Sequence, residues 1–326
     1  MKAAVFDDGL RFASDHPRPH PEPGEVRLRT LLAGICNTDL EVVRGYANFR
    51  GVLGHEFVAV VEEAEDPSWV GQRVVGEINA SCGVCDTCRA GRRTHCPHRT
   101  ALGIRERDGA LAECFCLPVE NLHRVPDTIT DQVAVFVEPL AAACQITDQV
   151  HVRPTDRVVV LGDGKLGLLV AQVLTLTGCD LLAIGRHPEK LDILAARGIP
   201  TRLAEDDPTA QADLVVECTG HAEGFQAARQ ILRPGGTLVL KSTYHGLVSS
   251  DLSQIVVDEI KIVGSRCGPF PAALHLLEQG LVEVEPLIEA IYPLDEVLAA
   301  FEHAAQRGAL KVLVRPDLQD PPTHRQ

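Results

Sequence analysis

The chain has 326 residues, which is long enough for about two domains that each bury a core of their own. It carries 31 Lys and Arg against 45 Asp and Glu, a formal net charge of −14, which argues against a protein that grips the phosphate backbone of nucleic acid. A hydrophobic fraction of 45% and a mean hydropathy of +0.04 exclude both a disordered acidic chain and a membrane protein.

The N-terminus carries Asp7 and Asp8 where a secretory signal needs an apolar run, and no later segment offers the roughly eighteen apolar residues of a membrane span. The 11 cysteines are an odd number, which favours metal ligands or buried thiols over a disulfide framework. We therefore expect a cytoplasmic protein without a membrane partner.

The first 120 residues predict a mainly β region. Four prolines at 17, 19, 21 and 23 fix an irregular loop. Alternating apolar and polar residues follow at 26–32, and further β-rich runs lie at 57–61 and 73–75.

Within this region four cysteines follow one another closely, at Cys82, Cys85, Cys88 and Cys96. Four thiolates from one short loop suit a tetrahedral Zn²⁺ that orders a lobe with little core, so the prediction is a structural zinc site. The alternatives are two disulfides, a redox pair or an iron–sulfur cluster.

From residue 157 the pattern changes to short apolar runs that alternate with helical segments. Apolar runs lie at 158–161, 181–184, 214–216, 237–240 and 260–263, and helical patterns separate them. This alternation predicts βαβ units on a doubly wound parallel sheet of the Rossmann type, and hence an α/β fold class.

A glycine-rich turn directly follows the first of these strands, with the sequence Gly162, Asp163, Gly164, Lys165, Leu166 and Gly167. In a GxGxxG turn the glycines permit the tight turn, the approach of a pyrophosphate and close packing of the helix. Because a strand precedes it and a helix follows, the motif predicts dinucleotide binding rather than an ordinary glycine turn.

The end of the second strand bears on the choice of dinucleotide. A site for NAD expects an acidic residue about 20 positions after the glycines, but this stretch reads Gly185, Arg186, His187 and Pro188. Arg186, with Lys190 nearby, is suited to pair with a 2′-phosphate, so we predict NADP in preference to NAD. The alternative is that Arg186 only stacks on the adenine.

A third set of motifs comprises Cys36-Asn37-Thr38-Asp39, Gly54-His55-Glu56 and Glu138-Pro139. Together with the two motifs above, and in this order along nearly the whole chain, it resembles the zinc-containing medium-chain dehydrogenase/reductase family. The resemblance is nearest to the polyol, glucose and threonine dehydrogenase branches.

This resemblance implies a discontinuous catalytic domain and a nucleotide domain. The catalytic domain, similar to the chaperonin-10 (GroES-like) fold, is expected at 1–126 and 268–326, with the structural zinc lobe at about 80–100. The Rossmann domain is expected at 127–267.

The resemblance also implies a catalytic zinc with Cys36, His55 and Glu138 as ligands and Glu56 as an alternating or supporting group. Thr38 is expected to accept the substrate's proton, and Asp39 to hydrogen-bond to the far nitrogen of His55. Thr38 and Asp39 also suit a helix N-cap. Relatives often place a His where this chain has Glu41, so either Glu41 or water ends the proton relay.

The function implied is hydride transfer between a nicotinamide cofactor and a secondary alcohol or polyol, in a homodimer or homotetramer that binds a small molecule and no nucleic acid. One alternative is a non-catalytic NADP-binding zinc protein. Another is a relative that catalyses elimination, epimerisation or biosynthetic carbonyl reduction.

Overall fold

The computed structural model describes residues 1–205, 211–243, 248–316 and 323–324. The chain divides into two compact units, the first formed by Met1–Glu138 with Phe270–Gln326 and the second by Pro139–Pro269. Among the described residues, no helix combines the length and apolar character needed to cross a membrane.

The strands are, in chain order, β1 (Ala3–Phe6), β2 (Leu10–Ala13), β3 (Glu25–Gly34), β4 (Gly51–Val52), β5 (Glu56–Glu63), β6 (Arg73–Gly76), β7 (Asn79–Ala80), β8 (Thr100–Ala101), β9 (Cys114–Pro118), β10 (Leu122–Arg124), β11 (Arg157–Leu161), β12 (Asp180–Gly185), β13 (Thr201–Leu203), β14 (Ala212–Glu217), β15 (Leu232–Leu240), β16 (Lys261–Gly264), β17 (Ile288–Pro293), β18 (Lys311–Arg315) and β19 (Thr323–His324). The α-helices are α1 (Asn37–Val43), α2 (Asp86–Arg89), α3 (Asp131–Ala134), α4 (Val137–Gln149), α5 (Lys165–Thr175), α6 (Pro188–Ala195), α7 (Ala222–Ile231), α8 (Leu252–Val257), α9 (Phe270–Glu278) and α10 (Val297–Ala304).

The first unit is mainly β, as its sequence predicts. Its largest sheet follows the order β10-β6-β5-β3-β18-β17-β19, with β9 also paired to β3. In β3 every second residue from Val26 to Leu32 is buried, which is the period expected of a strand with one face on the core. Strand β18, from the C-terminal part of the first unit, pairs antiparallel with β3, from its N-terminal part.

The second unit is a six-stranded parallel sheet in the order β13-β12-β11-β14-β15-β16. Because β12 and β13 lie on one side of β11 and β14 lies on the other, the strand order reverses between β11 and β14. Open α/β sheets bind ligands at the carboxyl ends of strands next to such a reversal. The prediction of a doubly wound parallel sheet is confirmed.

The first boundary between the units differs from the one expected after residue 126. The structure keeps residues 127–138 with the first unit because α3 packs on β3 and β5. The Arg73 guanidinium also donates to the Asp131 carboxylate and to the Pro126 carbonyl. The second boundary, expected at 267–268, lies between Pro269 and Phe270.

Candidate functional site

Asp39 ties together two segments that carry predicted metal ligands. It is the third residue of α1 and fully buried, and its Oδ2 accepts a hydrogen bond from the Cys36 N–H at 2.8 Å. Its Oδ1 accepts from the Gly54 N–H at 3.2 Å and lies 3.1 Å from His55 Nδ1. The N-cap of the helix is Cys36 and not Thr38. Asp39 therefore holds the N-cap residue through its backbone and also orients the His55 imidazole.

Three potential ligand atoms meet at this point, one each from Cys36, His55 and Glu56, all within 4.8 Å of one another. The turn before β5 brings them together and requires Gly54. Its φ is +96°, and a Cβ there would lie 2.8 Å from the Leu111 backbone nitrogen. A thiolate, an imidazole and a carboxylate are a donor set that suits Zn²⁺.

His55 lies between two acidic groups. Burial lowers the pKa of its imidazole, but the Asp39 and Cys36 anions outweigh burial and raise the pKa well above its ordinary value. Since Asp39 engages Nδ1, the remaining ring nitrogen, Nε2, is the one available to a metal ion.

Lys311, a residue to which the sequence assigned no role, supplies a buried positive charge. Its side chain is 2% exposed, it forms an ion pair with the Glu56 carboxylate, and its Nζ lies 5.7 Å from the centre of the Phe136 ring. Burial lowers the pKa of Lys311, yet Glu56, Cys36 and Glu138 together raise it above its ordinary value. One lysine thus faces three acidic groups, a surplus of negative charge that favours a bound cation.

Glu138, the expected carboxylate ligand, lies in the first turn of α4 and is half-buried. Its charge acts on Lys311, as that of Glu56 does. In the described part of the chain, the carboxylate within 4.8 Å of both other donor atoms is that of Glu56. The choice of Glu138 as zinc ligand therefore stays a prediction.

The expected proton relay has one member close to the donor atoms. Thr38 Oγ1 lies 3.7 Å from Cys36 Sγ. The Glu41 carboxylate accepts a hydrogen bond from Arg44 at 2.7 Å, so an ion pair already engages it. The role of Glu41 in a relay stays a prediction.

The four cysteines of the lobe form a second cluster. The Sγ–Sγ distances are 3.5 Å for Cys85–Cys88 and Cys82–Cys96, 3.8 Å for Cys85–Cys96 and 3.9 Å for Cys82–Cys88. Tetrahedral Zn–S bonds of about 2.3 Å place sulfurs about 3.8 Å apart, whereas a disulfide needs about 2.05 Å. The Val84 and Cys85 N–H groups lower the pKa of Cys82 to about 6. The cluster fits a zinc ion and not two disulfides.

The glycine turn joins β11 to α5 as predicted, with Gly164 as the cap of the helix that begins at Lys165 and Leu166. A Cβ on Gly162 would lie 2.7 Å from the Cys218 backbone, and one on Gly167 would lie 1.9 Å from the Gly162 carbonyl oxygen. By contrast, nothing among the described residues lies within 4 Å of a Cβ on Gly164. Two glycines thus serve packing and the third leaves open space at a helix N-terminus, as a pyrophosphate requires.

At the end of β12 the residues predicted to select the cofactor differ in exposure. The Arg186 side chain is exposed, while Lys190 is buried within α6. Asp163, from the glycine turn, lies against Gly185, and its Oδ2 accepts hydrogen bonds from the N–H groups of Arg186 and His187, both at 2.6 Å. The sequence offered no signal for this contact, because the acid comes from a different strand end.

Comparison with known proteins agrees with this arrangement. Residues 22–127 match the alcohol dehydrogenase GroES-like domain, and residues 166–279 match the zinc-binding dehydrogenase domain. A sorbitol dehydrogenase of Halalkalibacterium halodurans is 30% identical over 343 residues, which cover 97% of this chain and 99% of that protein.

Two solved structures are also similar along their whole length. An alcohol dehydrogenase of Escherichia coli, complexed with NADH, matches with a TM-score of 0.88 and 26% identity over 97% of this chain and 99% of that one. A zinc-binding dehydrogenase of Sinorhizobium meliloti, bound to NADP, matches with a TM-score of 0.85 and 29% identity over the same shares of the two chains.

These matches extend over both units. The expected GroES-like and Rossmann folds are confirmed. The chain belongs to the zinc-containing medium-chain dehydrogenase family.

Proposed function

We propose that this protein is a zinc-dependent oxidoreductase that transfers hydride between a nicotinamide cofactor and a secondary alcohol or polyol, with the corresponding carbonyl compound as the other partner. The observation that carries the proposal is the donor cluster of half-buried Cys36 with buried His55 and Glu56, in which Asp39 orients the His55 ring. A protein that only binds nucleotide gains nothing from such a cluster. The similarity to a sorbitol dehydrogenase supports a polyol as substrate.

The donor set fits zinc, with Cys36, His55 and a carboxylate of Glu138 or Glu56 as the ligands. When bound, the metal supplies a Lewis acid that lowers the pKa of an alcohol, and the nicotinamide supplies the hydride acceptor. Three protein ligands leave one coordination position open, as a catalytic zinc site requires.

The protein groups near this site move and hold protons. Asp39 accepts a hydrogen bond from His55 Nδ1, which leaves Nε2 as the ring nitrogen that would bind the metal. Thr38, beside Cys36, accepts the hydroxyl proton of the substrate and passes it to Glu41 or to water. Lys311 holds the Glu56 carboxylate by an ion pair, which fixes where that group lies relative to the ligands.

The cofactor is a nicotinamide dinucleotide, and two features of the chain favour different forms of it. Arg186, which is exposed beside Gly185, supports the prediction of NADP. The Asp163 carboxylate at the same strand end opposes a 2′-phosphate. One solved relative contains NADH and another contains NADP.

The place of action that we propose is the cytoplasm, since none of the 11 cysteines is joined in a disulfide, as is usual in a reducing compartment. We further propose a homo-oligomer, with a homodimer as its basic unit. The described edge strand β16 and the neighbouring helix α8 support it, because they expose the apolar side chains of Val256, Val257 and Ile262.

The test is the stoichiometry of cofactor turnover. The zinc-loaded protein is incubated with a panel of polyols and secondary alcohols and either oxidised cofactor, and the reduced cofactor and carbonyl product are both quantified. We expect one mole of each per mole of alcohol consumed, and loss of both in Cys36→Ser. Product without net cofactor change would establish elimination or epimerisation instead, and cofactor binding without any turnover would establish the non-catalytic alternative.

A further inference from the structure

The end of β12 lacks the acid that NAD-binding sheets of this type place there. Gly185 is the last residue of the strand, and an acid in this region normally accepts hydrogen bonds from the ribose 2′-hydroxyl. The glycine leaves a volume that another side chain is free to fill.

Asp163 fills that volume from the glycine turn of the neighbouring strand. A Cβ built on Gly185 would lie 2.5 Å from both the Cβ and the Oδ2 of Asp163. The Asp163 carboxyl group therefore lies where a side chain at position 185 would begin. Its connection to β11 rather than β12 is a departure from the usual arrangement.

Several donors hold this carboxylate in place. Oδ2 accepts the two backbone N–H groups of Arg186 and His187, and His187 Nδ1 lies 3.1 Å from Oδ2 and 3.2 Å from Oδ1. Burial raises the pKa of Asp163, but these N–H groups and the imidazole lower it below its ordinary value overall. The group is thus ionised at neutral pH and fixed against the strand end.

The carboxylate keeps capacity for a ligand. Ionised carboxylates have about four acceptor positions, and among the described residues only the His187 ring approaches Oδ1. The side chain retains 10% exposure. Hydroxyl groups are suitable donors to such an oxygen, whereas a phosphate is repelled by it.

The same contacts use up groups that a 2′-phosphate would need. The N–H groups of Arg186 and His187 are the backbone donors at this strand end, and Asp163 already occupies both. Lys190, predicted to assist Arg186, is buried at 6% exposure. Of the two side chains predicted to pair with a 2′-phosphate, the exposed Arg186 is the one that remains accessible.

We propose that Asp163 supplies, from the glycine turn, the carboxylate that accepts the ribose hydroxyls of the cofactor, and that the chain therefore prefers NAD to NADP. This inference rests on the proposed function, because it concerns the cofactor of that same site. It replaces the NADP preference predicted from Gly185 and Arg186. That prediction depends on the absence of an acid at the end of β12, and Asp163 supplies an acid there from the turn that follows β11.

The test measures the binding of NADH and of NADPH to the purified protein by titration calorimetry. It requires neither substrate nor turnover. We expect the unmodified protein to bind NADH at least about tenfold more tightly than NADPH, since charge-assisted hydrogen bonds contribute on this scale. Asp163→Ala should weaken NADH binding about tenfold or more and strengthen NADPH binding. If the alanine variant fails to fold, Asp163→Asn takes its place. This variant keeps the shape and an acceptor oxygen but removes the charge, so it should bind NADPH more tightly than the unmodified protein does.

A swap of the acid to the usual position makes the test specific. Gly185 lies outside the left-handed backbone region, so an aspartate is compatible with its conformation once the Asp163 side chain is removed. The double variant Asp163→Ala/Gly185→Asp should regain the preference for NADH. The single variant Gly185→Asp is the matched control, because in it the introduced side chain collides with that of Asp163.

Each outcome decides the matter. Equal losses for both cofactors in Asp163→Ala, without rescue by the double variant, would show that Asp163 only braces the turn and would overturn the proposal. A wild-type preference for NADPH would overturn it as well. Binding of neither cofactor to the unmodified protein would instead refute the proposed function itself.

Discussion

Asp39 shows how a single carboxylate organises the donor cluster. It bonds to the backbone at Cys36 and Gly54 and to the ring of His55, so the two segments that carry ligands share one anchor. Replacement of a group that orients metal ligands in this way typically lowers metal affinity about 10- to 100-fold.

Replacement of Asp39 by asparagine should therefore weaken zinc at this site by about 10- to 100-fold while the four-cysteine zinc remains. The amide places an N–H₂ group where the carboxylate accepted hydrogen bonds, and it removes the charge that fixes the imidazole. Zinc content after dialysis against a graded series of chelator concentrations measures the effect. Asn37→Ala, at an exposed position of the same helix, is the control and should retain both metals. Equal zinc retention in the two variants would contradict the role of Asp39.

The ion pair of Lys311 and Glu56 gives a second prediction at this scale. Lys311→Met leaves a fully buried carboxylate without its cation, which should lower the free energy of unfolding by about 3–5 kcal/mol. Urea unfolding of the protein after removal of zinc measures it, because a zinc ion beside Glu56 would itself neutralise the carboxylate. The double variant Lys311→Met/Glu56→Gln removes both charges and should recover much of the stability. A single variant as stable as the wild type would contradict the pairing.

The sequence reveals some of these residues and hides others for a physical reason. Cys36, Asp39 and His55 lie in short local motifs, so their types and spacing identify them. The Lys311–Glu56 pair joins residues 255 positions apart, and Asp163 acts 23 positions from Arg186. Such contacts depend on strand neighbours that no local pattern specifies.

At the scale of elements, the four-cysteine lobe depends on its metal. The segment between β7 and β8 contains only the one-turn helix α2 and a 3₁₀ turn at Arg93–His95, and Val84 beside α2 is 67% exposed. With so little buried apolar surface, the free energy that orders this segment comes largely from metal binding.

Cys88→Ser should therefore reduce the zinc content from about two to about one per chain and disorder the lobe. Trypsin should then cleave at the exposed residues Arg92 and Arg93 far faster than in the wild type, which timed digestion and mass spectrometry measure. Cys179→Ser, a half-buried thiol outside the lobe, is the control and should keep both zinc ions. If Cys88→Ser kept both as well, the assignment of the lobe would be wrong.

Long periodic elements are predicted well and short ones are not. The strand, glycine turn, helix and strand from Arg157 to Gly185 lie within a residue or two of the positions that the apolar pattern gives. The four-residue helix α3 has no such pattern in the sequence, and its attachment to the first unit comes from Arg73 contacts and packing on β3 and β5. The compact first unit therefore extends to Glu138, beyond the boundary expected after residue 126.

At the scale of the whole molecule, the described edge of the parallel sheet predicts self-association. Strand β16 ends the sheet, and its Ile262 side chain is 43% exposed. Two copies related by a two-fold axis would pair their β16 edges and cover this apolar surface.

Sedimentation velocity should therefore find a dimer or a larger assembly, and Ile262→Asp should shift it to the monomer, because a charge at the pairing edge disfavours burial. Leu176→Asp, at an equally exposed apolar position at the end of α5, is the control and should leave the assembly intact. A wild-type monomer at high concentration would contradict the proposed pairing.

Hydride transfer is measured most directly as transfer of deuterium from the carbinol carbon of a labelled polyol to the nicotinamide ring of the oxidised cofactor. The products are read by mass spectrometry with the zinc-loaded enzyme, across sorbitol and related polyols and secondary alcohols. We expect reduced cofactor that is one mass unit heavier, in an amount equal to that of the carbonyl product, and none with Cys36→Ser. Carbonyl product with unlabelled cofactor, or no transfer from any alcohol by a protein that holds two zinc ions and binds the cofactor, would contradict the proposed function.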